Sequence, residues 1–443
     1  IVFASSLASS DVINFILVLG NVNDIGTPSD DTITAAKLNN TAISGLSALA
    51  ATPDDTDELM ISDAGTLKRI DYSYLKSSVI NRRNAKPIIY NGNMEMSRRA
   101  TSKTGLTNGD GGYHTVDRWR WHENGSSSSV WTMTKEDLTS GNAYADGFNK
   151  ALKLDCTTAH SIGTGDTLAI EHRLEKDDLS AFKKGTANAI GFTFGFWVKA
   201  TKTGTNVVEI QDQTNDRTIS GTYTISSSDT WEFKVVSFGP DTTGNFGTGN
   251  ALGLIIRFYL YAGTDYTSGG LQSSWGAATT TKRATGQVNH ADSTSNNFHL
   301  TGVQLEIGEF TSSTIPPFQH ESYGDNLARC QRYFNMICEG SQKPIGNGLF
   351  WEAQEVFVTM PINGSTMRTT PSIYQTTGTD YFWAYRNGAA DGMTELTLNA
   401  ASSERVITFY VGSSQGLASD TKNRPVFFRS GQTASRLGLD AEL

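Results

Sequence analysis

Charge is scarce in this chain, and what it has is mostly of one sign. Only 18% of the 443 residues are charged, the net charge is −9, and no cluster of Lys or Arg stands out. Nucleic-acid binding, which needs a basic stripe to displace counterions, is therefore excluded as a function class. Cysteine is also rare: Cys156, Cys330 and Cys338 form no CxxC pair and have no His at metal-ligand spacing. That argues against a disulfide framework and a zinc site, and it fits assembly in a reducing cytoplasm. Long apolar runs are missing too. The run VINFILVL at 12–19 is far short of the about 20 residues a membrane helix needs, so a buried strand is expected there and membrane insertion is not. HExxH and P-loop patterns are absent, which removes the starting residues for zinc hydrolysis and nucleotide hydrolysis. No catalytic residue, cofactor or metal is expected. A glycosidase would need two facing carboxylates, and a pairing such as Glu171 with Glu175 cannot be inferred from spacing alone.

Gly, Ser and Thr are abundant and helix-forming runs are few, so the composition favours an all-β chain. Strand signals are dense from about residue 86 to 308. Ile190, Phe192, Phe194, Phe196 and Val198 alternate with Gly191, Thr193, Gly195, Trp197 and Lys199, and similar alternation occurs at 168–174, 231–238 and 254–261. The 298–307 stretch points Val303, Leu305 and Ile307 one way and Gly302, Gln304 and Glu306 the other, a half-buried strand expected to close this body. Ile315-Pro316-Pro317 then blocks any continuation of ladder or helix. Ser322, with Asp325 three residues on, reads as a helix start, and Tyr323, Leu327, Cys330, Phe334 and Ile337 continue at helical spacing. A second β body follows, with strands expected at 349–360, 381–385, 395–398, 405–411 and 425–429. The Asn387-Gly388 turn is expected to join the second of these to the third.

Residues 1–80 read as a connector. The strand at 12–19 and a loose helical stripe through Ile43, Leu46 and Leu49 in 35–51 carry too few apolar groups to fold alone, so they need partners; a flexible leader over 20–52 is the alternative on the same composition. The acidic run Pro53-Asp54-Asp55-Thr56-Asp57-Glu58 lacks the glycine and the terminal Glu of a calcium loop and reads as a solvated turn.

The strings QLEIG at 304–308 and SYGDNLARCQRYF at 322–334, with the closing Asp440-Ala441-Glu442-Leu443, resemble a junction seen in tailed-bacteriophage tail-fibre and receptor-binding proteins. Tyr90-Asn91-Gly92-Asn93-Met94-Glu95, Thr115-Val116-Asp117-Arg118-Trp119 and LMISDAGTLKRIDYSYL at 59–75 are similar to the same family. The resemblance implies a homotrimer joined to other phage tail proteins at its N-terminus. It places the protein in the virion tail and gives it a host cell-surface receptor, with a glycan the expected class. It also implies a division into an N-terminal trimeric connector (1–80), a galactose-binding-like jelly roll similar to carbohydrate-binding modules (81–318) and a terminal antiparallel β-sandwich (319–443), with one short helix at the junction. A depolymerase of host surface polysaccharide and a purely structural spacer are the alternatives.

Sugar recognition stacks aromatic faces on ring C–H groups and fixes hydroxyls with amide, carboxylate or guanidinium groups. Tyr381, Trp383 and Tyr385 share one face of an expected strand, with Arg386 and Asn387 at its turn. That face suits either a sugar platform or an interface between copies. His122, followed by Glu123-Asn124-Gly125, is a loop candidate beside a Trp119 expected to pack in the core. The polar loop 211–217 is either a third candidate or an ordinary hairpin tip.

Overall fold

The computed structural model describes residues 8–10, 12, 45–78 and 86–443, and it resolves into two compact units, 1–78 and 79–443. The expected strand at 12–19 and most of the 35–51 stripe lie outside the described residues. Residues 45–51, at the end of that stripe, are not helical, and Leu46 and Leu49 are exposed. In the first unit, strands Glu58–Asp63 and Thr66–Asp71 form a hairpin across Ala64-Gly65, both at positive φ, as a tight hairpin turn requires. A helix, Tyr72–Ser78, follows. The acidic run before the hairpin forms a turn, with the Asp57 N–H donating to the Asp54 carbonyl at 3.0 Å.

The second unit is all-β, as expected. Its first body is a sandwich of two antiparallel sheets. One sheet runs, neighbour by neighbour, Gly276–Ala277, Arg217–Ile225, Gly204–Asp212, Leu252–Ala262, Thr167–Glu175, Trp119–Asn124 and Gly112–Tyr113. The other runs Glu232–Phe238, Phe192–Ala200, Asn297–Ile307, Lys150–Thr158, Val130–Asp137 and Ser102–Leu106. Strands distant in sequence lie side by side, the jelly-roll pattern. The alternating Phe192, Phe194, Phe196 and Val198 face Phe258, Ile170 and Trp119 across a single core. The Phe196 and Phe258 rings meet edge to face at 5.1 Å, an arrangement favoured by the ring quadrupoles. Trp119 is fully buried, as its core reading required.

The 298–307 strand closes the first body in chain order, as expected, but it is not half-buried. It lies in the middle of its sheet, and nearly every residue is buried. Its second face is covered by the chain that follows it: Gln304 donates from Nε2 to the Pro316 carbonyl at 3.0 Å. A bulge between Thr301 and Gln304 places Gly302 at φ 59, against the Phe148 ring, where a Cβ would lie 2.7 Å from a ring carbon.

The helix is Tyr323–Gln331, capped by Ser322, whose Oγ accepts from the Asp325 N–H at 3.1 Å. It stops before Phe334, which opens a strand, Phe334–Glu339, so Phe334 and Ile337 belong to a sheet. The second body pairs a three-stranded sheet (Phe334–Glu339, Arg436–Asp440, Ser372–Gln375) with a seven-stranded one. The latter runs Ala389–Met393, Phe382–Arg386, Pro425–Ser430, Pro344–Glu352, Glu355–Pro361, Val406–Gly412 and Thr397–Leu398. The expected single strand at 349–360 is therefore two strands. Asn387-Gly388 does make a hairpin turn, but its second strand is Ala389–Met393.

The segments 90–95, 115–119, 322–334 and 440–443 converge where the two bodies meet. Arg118, fully buried, pairs with Glu442 and lies 3.5 Å from the centroid of the Tyr333 ring. Arg99 contacts Asp440 at 2.8 Å and Glu442 at 3.3 Å. Arg332 forms a two-point contact with Glu175, each arm at 2.7 Å. Asn326 of the helix donates to Asn93 at 3.1 Å.

Candidate functional site

The seven-stranded sheet of the second body buries one face and leaves the other open. Phe382, Ala384, Phe428, Phe350, Val356 and Phe409 turn inward to the core. Because strand side chains alternate, the residues between them point outward, and they are strikingly rich in rings. Trp383 and Tyr385 lie on Phe382–Arg386, with centroids 6.2 Å apart and planes 34° from parallel. Phe427 is paired in register with Tyr385. Trp351 approaches Phe357 at 6.4 Å, and Phe357 approaches Tyr410 at 5.5 Å. The face is open to solvent: Trp351 is 60% exposed and Leu349 54%. The Arg429 guanidinium lies 4.0 Å from the Tyr385 ring centroid and bonds the Tyr385 hydroxyl, so a cationic donor sits among the rings. Gly431 makes room for Trp383, since a Cβ there would fall 2.4 Å from the indole.

The expected residues divide on this geometry. Trp383 and Tyr385 share the outer face. Tyr381 precedes the strand and packs against the core. Arg386 is buried and committed to a double ion pair with Asp391 and Asp420, the latter at 2.7 Å, which leaves it a structural role. Asn387 sits exposed at the hairpin turn. Trp351, Phe357, Tyr410, Phe427 and Arg429 were missed. The alternation of Phe427 with Arg429 was the available signal for that pair. Trp351 was hidden because its strand was read as continuous through the hairpin at Ala353-Gln354, which carries no Gly, Asn or Pro.

His122 lies on strand Trp119–Asn124 and not in a loop. It faces outward from the first sandwich, beside a charged ladder that crosses four strands at one level. Arg120 stands opposite Glu171, Glu171 opposite Arg257, and Arg257 opposite Glu209. Opposite charges directly across neighbouring strands attract, and here each pair is in contact: 3.2 Å, 2.7 Å and 3.1 Å in that order. Arg283 closes the row on Glu209 at 2.6 Å, and Arg173 adds a third cation to Glu171 at 2.8 Å. Burial would raise the Glu171 pKa, but the charges of Arg257, His122, Arg173 and Arg120 hold it down to about 2. His122 is pushed down to about 4, mainly by burial, so its ring is neutral at physiological pH. Glu175, named with Glu171 as a conceivable catalytic pair, is instead taken up by Arg332 and Tyr333 at the junction.

The 211–217 loop is a hairpin tip joining Gly204–Asp212 to Arg217–Ile225. All three cysteines are buried and free. No helix among the described residues is long and apolar enough to cross a membrane. No group of His, Cys, Asp and Glu among them is arranged to hold a metal ion.

No protein-family model matches the chain, and no curated protein does. Several solved structures overlap it in part. The enzymatically active domain of tailspike protein 4 from bacteriophage CBA120 is 14% identical, with a TM-score of 0.25. The overlap covers 46% of this chain and 21% of that one. TmCBM61, solved with β-1,4-galactotriose, is 7% identical over 50% of this chain and 99% of its own, with a TM-score of 0.24. The family 11 carbohydrate-binding module from Clostridium thermocellum, solved with a mixed-linked tetrasaccharide, is 12% identical over 48% and 98%, with a TM-score of 0.23. Overlaps this partial carry nothing about what this chain binds.

Proposed function

We propose that this chain is a non-catalytic adhesin of a phage tail that binds a host cell-surface glycan through the aromatic outer face of its C-terminal sheet. The observation that carries the reading is the run of outward rings from Trp383 and Tyr385 through Phe427 and Trp351 to Phe357 and Tyr410. An apolar face left open on a folded body marks an interaction surface, and rings interleaved with Arg429 suit the C–H faces and hydroxyls of a sugar chain. Weak contacts multiplied over several copies give useful avidity. The tail location and the attachment to other tail proteins rest on the sequence resemblance alone.

A homotrimer is part of the same proposal. It is supported by the hairpin of the first unit, whose strand Glu58–Asp63 is exposed throughout and carries Leu59, Met60 and Ile61. Among the described residues nothing covers this strand, and two uncovered strands are marginal in water, so copies of the same hairpin would supply a cover.

An enzyme is the second reading, and one observation favours it. His160 Nε2 lies 2.7 Å from Asp166 Oδ2, and its Nδ1 lies 3.3 Å from the exposed Ser128 Oγ, the order of a nucleophile, base and orienting acid. Against it, Asp166 also accepts the backbone N–H groups of Ser126 and Gly163, which makes it a loop staple.

The test is incubation of the purified protein with a panel of bacterial cells and their extracted polysaccharides, following binding together with release of acetate and reducing ends. Saturable binding without release sustains the adhesin. Release of acetate that Ser128→Ala abolishes, or release of reducing ends, establishes the enzyme.

A further inference from the structure

The charged ladder of the first sandwich carries more cation than it neutralises. Arg120, Arg173, Arg257 and Arg283 contribute four guanidinium groups, and Glu171 and Glu209 contribute two carboxylates. His122, neutral, adds nothing to either side. An interior excess of charge is expensive unless something opposes it, and this one lies within a chain whose net charge is −9. The excess is crowded enough that burial and the neighbouring Arg173 push the Arg120 pKa down.

Arg120 also has capacity to spare. Arg120 spends one nitrogen, Nη1, on Glu171 and His122. Its Nη2 and Nε make no hydrogen bond among the described residues, and Gly111 stands beside Nη2, where a Cβ would sit 3.2 Å away. The side chains of Arg120 and Arg283 remain 19% exposed, so their edges reach solvent while their inner nitrogens are fixed by the two glutamates; Arg173 is fully engaged, with Nε and Nη2 on Glu171 and Nη1 on the Leu443 carbonyl at 2.9 Å. Glu171 and Glu209 hold the guanidinium planes in place, which lowers the ordering cost of binding an anion.

The geometry points to a second binding surface on this ladder, one that takes the carboxylate of an acidic sugar residue. A planar carboxylate matches the two-point geometry of a guanidinium edge. The neighbouring Gln211, whose oxygen accepts from Arg257 at 2.6 Å, and Asn124, 3.0 Å from His122, supply amides for ring hydroxyls. A chain of net negative charge repels acidic polymers at a distance, so a local cationic site is what lets it hold one. The inference rests on the glycan-binding reading and adds the sugar class, on a surface separate from the aromatic face.

The test is calorimetric titration of the full chain with tetrasaccharides of galacturonate, hyaluronan and α-2,8-linked sialic acid. The methyl ester of the galacturonate and a glycerol-phosphate tetramer serve as controls. At least one carboxylated probe is expected to bind with a Kd of about 1 mM or tighter in about 0.15 M salt. The ester should bind at least tenfold more weakly, and Arg120→Gln should lower affinity by about tenfold. Arg283→Gln provides a second variant should the first unfold. Failure of all three acidic probes, equal binding of the ester, or tighter binding of the glycerol phosphate overturns the assignment. If cell binding persists in Arg120→Gln but is lost when the aromatic face is altered, this inference fails and the adhesin stands. If no cell in the panel is bound at all, the adhesin reading itself fails.

Discussion

The guanidinium of Arg118 lies 3.5 Å from the Tyr333 ring centroid, and the two residues come from opposite bodies of the second unit. Arg118 holds this position with a φ of 73, a region that costs a non-glycine residue about 1–3 kcal/mol and persists only where the surroundings impose it. The surroundings here are Glu442, Tyr90, Tyr113 and Tyr333. These residues thus build a clamp between two β bodies.

Removing the clamp should show in stability. Arg118→Met leaves Glu442 buried and half-paired, and loss of one partner of a buried pair costs about 3–5 kcal/mol. Urea unfolding should show a lower midpoint and an unfolding free energy reduced by that amount, while the aromatic face stays in place. An unchanged midpoint would contradict the account of the junction.

Acid should weaken the fold before its carboxylates titrate. Burial, the main cause in each case, pushes His290 down to about 3 and His122 down to about 4, and holds His172 well below its usual value. In the unfolded chain these residues take up protons near pH 6.5, so the unfolded state binds more protons than the native state as pH falls from about 7 to 4. Stability is full above the unfolded pKa and is lost on acidification, at up to about 1.4 kcal/mol per pH unit for each histidine. Glu123 and Asp178, whose pKa values burial raises, oppose this only at the acidic end. Unfolding midpoints between pH 7 and 5 should fall with a slope that His290→Asn reduces. A flat profile would show that the histidines are not held neutral.

Much of this architecture was legible in the sequence. The alternation through Phe192, Phe194 and Phe196 and the Ser322 cap both reflect local periods that tertiary packing preserves. The full burial of 298–307 was not legible, because the cover for its second face comes from a chain reversal around Pro316. Two residues of the candidate site were visible: Trp383 and Tyr385 declared themselves by period, whereas Trp351 and Phe427 join them only through strand pairing. The ladder of Arg120, Glu171, Arg257 and Glu209 was invisible for the same reason, since each charge sits on a different strand.

Gly431→Ala should disturb the aromatic face without touching a ring. The added methyl would fall 2.4 Å from the indole and 2.0 Å from the Asp380 carbonyl, so Trp383 must swing away or the backbone must shift. Tryptophan fluorescence should change, and glycan affinity should fall by about tenfold. Unaltered affinity would remove Trp383 from the site.

The hairpin of the first unit offers a separate test of assembly. Met60 is 73% exposed, and Met60→Asp places a charge where neighbouring copies would meet. Sedimentation should show the trimer reduced to monomers at micromolar concentration. A trimer that persists would place the contacts elsewhere.

The most direct measurement of the central claim is adsorption of the full chain to a susceptible strain, compared with Trp351→Ala and Tyr385→Ala, with oligomeric state recorded on the same samples. Trp351 is 60% exposed, so its loss should cost the fold less than about 0.5 kcal/mol. The account predicts that both variants remain assembled and folded while adsorption drops by at least tenfold. Full adsorption by both, or dissociation into monomers that accounts for the loss, would contradict it and make the aromatic face an interface between copies.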